Sequence, residues 1–139
     1  ERTEAVINGG KIFFDCVTAT FGSELCSSDG TIDGTIVATD LSSGVVDSDV
    51  RHISIIGDDI VFIASADEIG FALWSLDSSG TIQLQYDPYQ GSGNNSDSGQ
   101  YGNMIITDTQ VIFVAADGQN GNELYAWTHL QLTDEWLIW

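Results

Sequence analysis

The chain has 139 residues, of which 42% are hydrophobic and 17% charged, and its 21 acidic residues against three basic ones give a formal net charge of −18 at pH 7. This composition predicts one domain or one closed array with a buried core, and it excludes a disordered acidic tail. The negative charge excludes nucleic acid as a partner and makes binding to anionic lipid unfavourable, because their phosphates would be repelled. No apolar run approaches the roughly 20 residues that span a bilayer, so membrane insertion is not expected.

The chain opens with a predicted hairpin. Residues Ala5 to Phe14 read AVINGGKIFF, in which two short apolar runs flank Asn-Gly-Gly, a strong turn signal. Corresponding segments lie at Ile53 to Phe62 and at Met104 to Phe113. A second predicted hairpin follows in each copy, and no segment shows a helical period. Each copy is therefore predicted to form four short antiparallel strands in a meander.

Three copies of this unit follow one another at a nearly fixed spacing. Phe14 in the first copy corresponds to Phe62 and Phe113 in the next two, at offsets of 48 and 51 residues. A period of this size indicates a repeat architecture. The predicted repeats span residues 1–40, 49–87 and 100–139, and the predicted linkers span residues 41–48 and 88–99.

Two segments carry a resemblance to a known repeat. Gly22 to Thr35 reads GSELCSSDGTIDGT, and Phe113 to Trp127 reads FVAADGQNGNELYAW. Both resemble the ELWxxDGTxxGT repeat of bacterial secreted and cell-surface proteins; the second copy departs most, since Ala72 replaces the Glu and Ser78-Ser79-Gly80 replaces the Asp-Gly. The resemblance covers nearly the whole chain. It implies β-propeller-type blades, an extracellular or cell-surface location, and no catalytic residue, so the chain is predicted not to be an enzyme.

Alternation of side chains along the predicted strands assigns packing roles. Glu24 and Glu123 are predicted to point away from the sheet interfaces, together with the flanking polar residues. Trp74 is interpreted as a core residue, with stacking on a ligand as its alternative role. The residues predicted to fill the interfaces between neighbouring sheets are Leu25, Leu73 and Leu124, with Phe14, Phe62 and Phe113 on the facing strands.

The two cysteines lie on successive predicted strands of the first copy. An antiparallel pairing centred near Phe21 would place Cys16 and Cys26 opposite one another. In an extracellular setting this arrangement predicts a cross-strand disulfide, and the alternative is two free, buried small side chains. His52 and His129 lack the spacing of zinc ligands and are interpreted as ordinary surface or strand histidines.

Aspartates in turns give a hint of metal chemistry, because Ca²⁺ prefers hard oxygen donors. The candidate calcium ligands are Asp29, Asp33, Asp47 and Asp49. Asp and Gly are also what a plain hairpin turn requires, so a turn without metal is the main interpretation and no other cofactor is expected. The candidate residues for stacking on a glycan are Trp74, Tyr89, Tyr101 and Trp127.

Three copies leave sheet edges and apolar faces uncovered, because single-chain propellers have about four to eight blades. Association into a ring or an open filament would cover them, and a β-trefoil of three four-stranded repeats is the alternative fold. The predicted function is a non-enzymatic extracellular structural or adhesive module that forms a homo-oligomer or polymer; the alternative is a lectin-like carbohydrate-binding module. The predicted assembly residues are Ala5, Val6, Ile7, Trp136, Ile138 and Trp139.

Overall fold

The computed structural model describes residues 4–67, 69–89 and 104–130, and all the regular structure in these ranges is β-strand. The strands form three antiparallel sheets, with the orders β1-β2-β3-β4 (the first sheet), β5-β6-β7-β8 (the second sheet) and β11-β10-β9 (the third sheet). The predicted all-β class is confirmed. The strand bounds are β1 Ala5–Asn8, β2 Lys11–Thr18, β3 Gly22–Ser28, β4 Ile36–Val37, β5 Arg51–Ile56, β6 Asp59–Ala66, β7 Gly70–Leu76, β8 Ile82–Tyr86, β9 Ile105–Ile106, β10 Gln110–Ala116 and β11 Asn122–Thr128.

The opening hairpin forms where the sequence predicts it. Asn8 pairs with Lys11, so Gly9 and Gly10 alone make the turn between β1 and β2. Both glycines have positive φ, 57° and 78°. A two-residue hairpin turn with two positive φ values matches the right-handed twist of its strands, and glycine adopts it without steric cost.

The four-strand meander is confirmed in the first two copies, and each described sheet lies within one predicted repeat. The fourth strand is short in the first sheet, where β4 pairs only with Cys26 and Ser27. In the third copy the described strands are β9, β10 and β11. The predicted fourth strand of that copy falls at residues 131–139, outside the described ranges.

Two hydrophobic clusters join the sheets in chain order. Leu25 of the first sheet packs in one cluster with Phe62 of the second sheet. Leu73 of the second sheet packs in the other cluster with Phe113 of the third sheet. All four side chains are 0% exposed, so the sequence predictions for them are confirmed. The three sheets therefore pack face to face, with the second sheet in the middle.

The middle position of the second sheet explains the composition of β6. Its residues alternate between the two clusters: Ile60 and Phe62 face the first sheet, while Val61 and Ile63 face the third. A strand covered on both faces needs apolar side chains at consecutive positions rather than at alternate ones. The run Ile60 to Ala64 is entirely apolar and entirely buried, as this position requires.

Polar contacts also join the sheets. His129, after β11, places Nε2 2.9 Å from Oδ2 of Asp59 in β6. His52 in β5 places Nδ1 3.8 Å from Oε1 of Glu4, whose other oxygen accepts a hydrogen bond of 3.1 Å from the backbone N–H of Ile53. The two histidine side chains are only 13% and 11% exposed. His52 is thus a strand histidine, one of the two environments that the sequence interpretation allowed, and both histidines are largely enclosed beside a carboxylate from the preceding part of the chain.

Candidate functional site

The predicted disulfide between Cys16 and Cys26 is present, with a Cα–Cα distance of 5.8 Å. The predicted register was wrong, however. Cys16 pairs with Glu24 and Cys26 pairs with Phe14, so the bond runs diagonally between β2 and β3. The hairpin is centred on Thr20 rather than on Phe21, because Thr18 pairs with Gly22. Diagonal neighbours on one face of an antiparallel pair are close enough for such a contact.

Removal of the disulfide is expected to lower the free energy of unfolding by about 2–3 kcal/mol, because the bond restricts the unfolded chain. The double substitution Cys16→Ala/Cys26→Ala tests this by urea denaturation. Alanine already occupies the position of Cys16 in the other two copies, as Ala64 and Ala115. The reduced wild-type chain is the control and is expected to show a similar loss. Equal stability of the oxidised and reduced wild-type chains would contradict the prediction.

The first sheet has an apolar outer face, which we call the head face and define as Ile7, Ile12, Phe14, Cys16 and Cys26. Register pairs place these residues on the side of the sheet opposite to Leu25. Ile7 is 73% exposed, Ile12 is 39% exposed and Phe14 is half-buried. The head face therefore presents large apolar side chains to solvent.

The equivalents of the head-face residues are covered in the later copies. The positions of Ile12 and Phe14 are held in the second copy by Ile60 and Phe62, which are buried in the cluster against the first sheet. In the third copy they are held by Val111 and Phe113, which are buried in the cluster against the second sheet. Ile55 and Ile106, the equivalents of Ile7, pack against these same two clusters. In each later copy, the surface that corresponds to the head face is therefore covered by the preceding sheet.

The third sheet has the complementary outer face, which we call the tail face and define as Ile105, Ile112, Val114 and Leu124. Pairing of Ile112 with Ile105 and of Val114 with Leu124 places these residues on one side of the sheet. Leu124 is 73% exposed and Ile105 is 58% exposed. Leu124 was predicted to lie in an interface like Leu25 and Leu73. It lies on the corresponding face, but no described strand covers that face.

The predicted assembly residues divide between two faces. Ala5 and Ile7 lie on the head side of β1, since they pair with Phe14 and Ile12. Val6 points to the opposite side and packs against the cluster between the first and second sheets. Its side chain is therefore not part of the head face, and its assignment to an assembly surface stays a prediction. The other predicted assembly residues, Trp136, Ile138 and Trp139, lie outside the described residues.

The predicted stacking residues do not form one site. Trp74 is buried between the first and second sheets and donates a hydrogen bond of 3.1 Å from Nε1 to the carbonyl of Ala64, so it is not available to stack on a ligand. The Tyr89 ring lies against Gly118, where an added Cβ would overlap Cε2. Trp127 packs against the second cluster, edge-on to His129. Tyr101 lies outside the described residues.

The aspartate of the Asp-Gly-Thr motif organises a turn. Oδ1 of Asp29 accepts hydrogen bonds from the backbone N–H (2.9 Å) and the hydroxyl (2.7 Å) of Thr31. Asp77, its equivalent in the second copy, accepts the same two bonds from Ser79, at 2.9 and 2.6 Å. Donation by the Thr31 and Ser79 side chains holds the pKa of each carboxyl below its ordinary value. This geometry is a hydrogen-bonded Asx turn and accounts for the motif without a metal.

Of the remaining candidate calcium ligands, Asp47 and Asp49 make other contacts, and Asp33 lies exposed in the same turn as Asp29. Oδ1 of Asp47 accepts a hydrogen bond of 2.7 Å from the backbone N–H of Ser23. Asp49 lies 3.9 Å from Nη2 of Arg51, and Asp33 is exposed in the β3–β4 turn. Among the described residues, no three His, Cys, Asp or Glu side chains group closely enough to hold a metal ion. Calcium binding stays a prediction, and these contacts favour the turn interpretation.

Glu24 is the residue whose role the sequence prediction missed. It was predicted to point away from the sheet interfaces, and its pairing with Cys16 places it on the side opposite to Leu25, but the prediction did not include that its side chain is fully buried. The carboxylate accepts hydrogen bonds from Oγ1 of Thr39 (2.7 Å) and from the backbone N–H of Leu41 (3.1 Å). It also accepts one from the backbone N–H of Ser42 at 3.3 Å and one from the hydroxyl of Ser48. We call this set the Glu24 network.

The Glu24 network holds the linker of residues 41–48 between the first and second sheets. The backbone N–H of Ser48 donates to the carbonyl of Ser23 (2.8 Å), and the carbonyl of Ser48 accepts from the backbone N–H of Ser65 (2.8 Å). The linker also approaches Gly22, which has a φ of 65° and where an added Cβ would lie 2.8 Å from the carbonyl oxygen of Val46. A signal for this role was present in the sequence as the hydroxyl residues that follow the motif, among them Thr39, Ser42 and Ser48.

A cleft of ≈ 530 Å³ opens between the first and second sheets. The second and third sheets fill their own interface with two aromatic rings, Tyr86 and Trp127. At the corresponding places the first interface has the smaller side chains of Ala38 and Leu76. We infer that the cleft is present because these smaller side chains leave space between the first and second sheets. Its lining includes Asn8, Lys11, Phe13, Asp58 and Ser79.

The fold and the two faces define an all-β repeat module whose sheets stack in chain order and whose outer faces match its internal interfaces. Comparison with protein-family models, with curated proteins and with solved structures found no match to this chain. Across the part of the chain that the structure describes, there is no helix long and apolar enough to cross a membrane.

Proposed function

We propose that this chain is a non-enzymatic structural or adhesive module that acts outside the cell by self-association through its outer faces. One observation carries the proposal. The positions of Phe14 and Leu124 are buried at every internal interface, yet Phe14 is only half-buried and Leu124 is exposed on the outer faces. Contiguous apolar surface of this kind is typical of an interaction site.

The repeats favour a second molecule of the same chain as the partner that covers these outer faces. Leu25 and Leu73 are each covered by the sheet of the following copy, which supplies Phe62 or Phe113. A further sheet of the same type would cover Leu124 in the same way. Burial of one such side chain stabilises a contact by about 1.5–3 kcal/mol. The head and tail faces together hold several such side chains.

The sheets are proposed to be propeller-type blades. Face-to-face packing of successive four-stranded meanders supports this architecture, since a trefoil instead combines hairpins from different repeats in one closed barrel. The resemblance to the ELWxxDGT repeat points in the same direction. The Cys16–Cys26 disulfide supports an extracellular location, because disulfides persist in oxidising compartments.

Mass in solution tests the proposal. Sedimentation equilibrium over a range of concentrations is expected to show wild-type species heavier than the 15.0 kDa chain. Association is expected to strengthen as NaCl is raised, because salt screens the repulsion between chains of net charge −18. Leu124→Asp is expected to weaken association, since it places a charge on the tail face at its most exposed residue.

The matched control is Ile32→Asp, which adds the same charge at an exposed apolar residue in the β3–β4 turn. It is expected to associate as the wild type does. If Ile32→Asp weakened association as much as Leu124→Asp, net charge rather than the tail face would be responsible. A wild-type chain that stayed monomeric at all concentrations and salt levels would overturn the proposed function.

A further inference from the structure

We propose that the association has a direction (its polarity): the tail face of one molecule binds the head face of a second molecule, and neither face binds its own kind. This inference rests on the proposed function and adds the partner surface and the direction of assembly. It follows from which side of each sheet carries which residues.

The internal interfaces show which positions meet. In the first cluster Leu25 packs with Phe62 and Trp74 of the following copy. In the second cluster Leu73 packs with Phe113, and Tyr125 lies against the same cluster. The leucine of one copy therefore meets the phenylalanine of the next copy and the aromatic residue paired with it.

The head face offers the same positions to an incoming tail face. Phe14 corresponds to Phe62 and Phe113, and Cys26, which pairs with Phe14, corresponds to Trp74 and Tyr125. In a contact between two molecules that repeats the internal geometry, Leu124 of one molecule lies against Phe14 of the other, beside the disulfide, in which Cys26 is already buried. A tail-to-tail contact would place Leu124 against Leu124, and neither internal interface pairs two leucine positions in this way.

The disulfide makes this contact weaker than the internal ones. Cys16 and Cys26 together occupy the place that Ala64 and Trp74 hold in the second copy, so the head face lacks one large aromatic ring. Aromatic side chains contribute much of the buried area at such contacts. The contact between copies is therefore reversible and depends on concentration. Because the contact joins two different faces, an assembly that gains a molecule still has one free head face and one free tail face. Such a contact produces a filament or a closed ring.

Mixing two blocked variants tests the polarity. Leu124→Asp blocks the tail face and Ile7→Asp blocks the head face; both residues are largely exposed, so both variants are expected to fold. Each variant alone is expected to be a monomer. An equimolar mixture is expected to form a one-to-one dimer of about twice 15.0 kDa and nothing larger, since the dimer has one intact joint and two blocked ends. Uniform ¹⁵N labelling of one variant identifies the mixed dimer by native mass spectrometry.

Each outcome decides the inference. A mixed dimer without larger species supports it. Dimers of Leu124→Asp alone, or of Ile7→Asp alone, would overturn it in favour of contacts between like faces. A monomeric mixture from a wild type that does associate would overturn the polarity but leave the proposed function standing. A monomeric wild type would overturn both.

Discussion

Replacement of Glu24 by Ala is expected to lower the free energy of unfolding by about 3–5 kcal/mol, because several buried hydrogen-bond donors lose their acceptor at once. The carboxylate is fully buried and accepts from two hydroxyls and two backbone N–H groups of residues 39–48. Hydrogen bonds to a charged group are about twice as strong as neutral ones. Their loss is expected to free the linker from both sheets. Urea denaturation followed by circular dichroism measures the effect.

Two further variants separate the causes of that loss. Glu24→Gln keeps the shape of the side chain but replaces one acceptor oxygen by a donor, so a smaller loss of about 2–3 kcal/mol is expected. Glu123→Ala is the matched control, since Glu123 is the equivalent residue in the third copy and is exposed. It is expected to change stability by less than about 0.5 kcal/mol. Equal effects of Glu24→Ala and Glu123→Ala would show that the Glu24 network does not stabilise the chain.

Phe62→Ala is expected to lower the free energy of unfolding by about 3–5 kcal/mol, the cost of removing a large side chain from a packed core. Phe62 is fully buried in the cluster between the first and second sheets, where Leu25 and Trp74 also lie. The substitution leaves a cavity that the flanking sheets close only in part. Thermal and urea unfolding of the monomer both measure this loss.

Phe14→Ala is the matched control within the repeat, because it removes the same side chain from the same position of the first copy. Phe14 is half-buried on the head face, so about half of the loss at Phe62 is expected. The comparison is made at a concentration where the chain is monomeric. If both substitutions cost the same, the head face would be as well covered as the internal interfaces, contrary to its exposed neighbours Ile7 and Ile12.

Local patterns in the sequence determined the strands and their spacing. Asn8-Gly9-Gly10 specifies a tight hairpin through the backbone freedom of its two glycines, which requires no knowledge of the rest of the chain. The period of 48 and 51 residues predicted three like units, and alternation along the strands assigned Phe62 and Leu73 to interfaces. The pairing of Cys16 with Cys26 was within reach for the same reason, since they lie on neighbouring strands of one hairpin.

Burial at the ends of the array was decided by the tertiary structure. Leu124 and Leu73 have the same position in the repeat, but the third sheet covers Leu73, whereas no sheet among the described residues covers Leu124. Val6 and Ile7 are neighbours in β1, but the second sheet covers only the side on which Val6 lies. A local pattern fixes which side of a strand a residue occupies. The pattern does not specify which segment of the chain covers that side.

The polar core was likewise decided by the tertiary structure. Alternation places Glu24 on the side away from the sheet interfaces, and its burial depends on a linker that returns 15 to 24 residues later with hydroxyl and N–H donors. The exact hairpin register, which sets the diagonal geometry of Cys16 and Cys26, is by contrast local: Thr18 pairs with Gly22, and the backbone N–H of Phe21 donates to Oγ1 of Thr18. Strand identity follows from interactions between near neighbours along the chain. Burial and partner choice follow from contacts between distant segments, which exist only once the sheets have assembled.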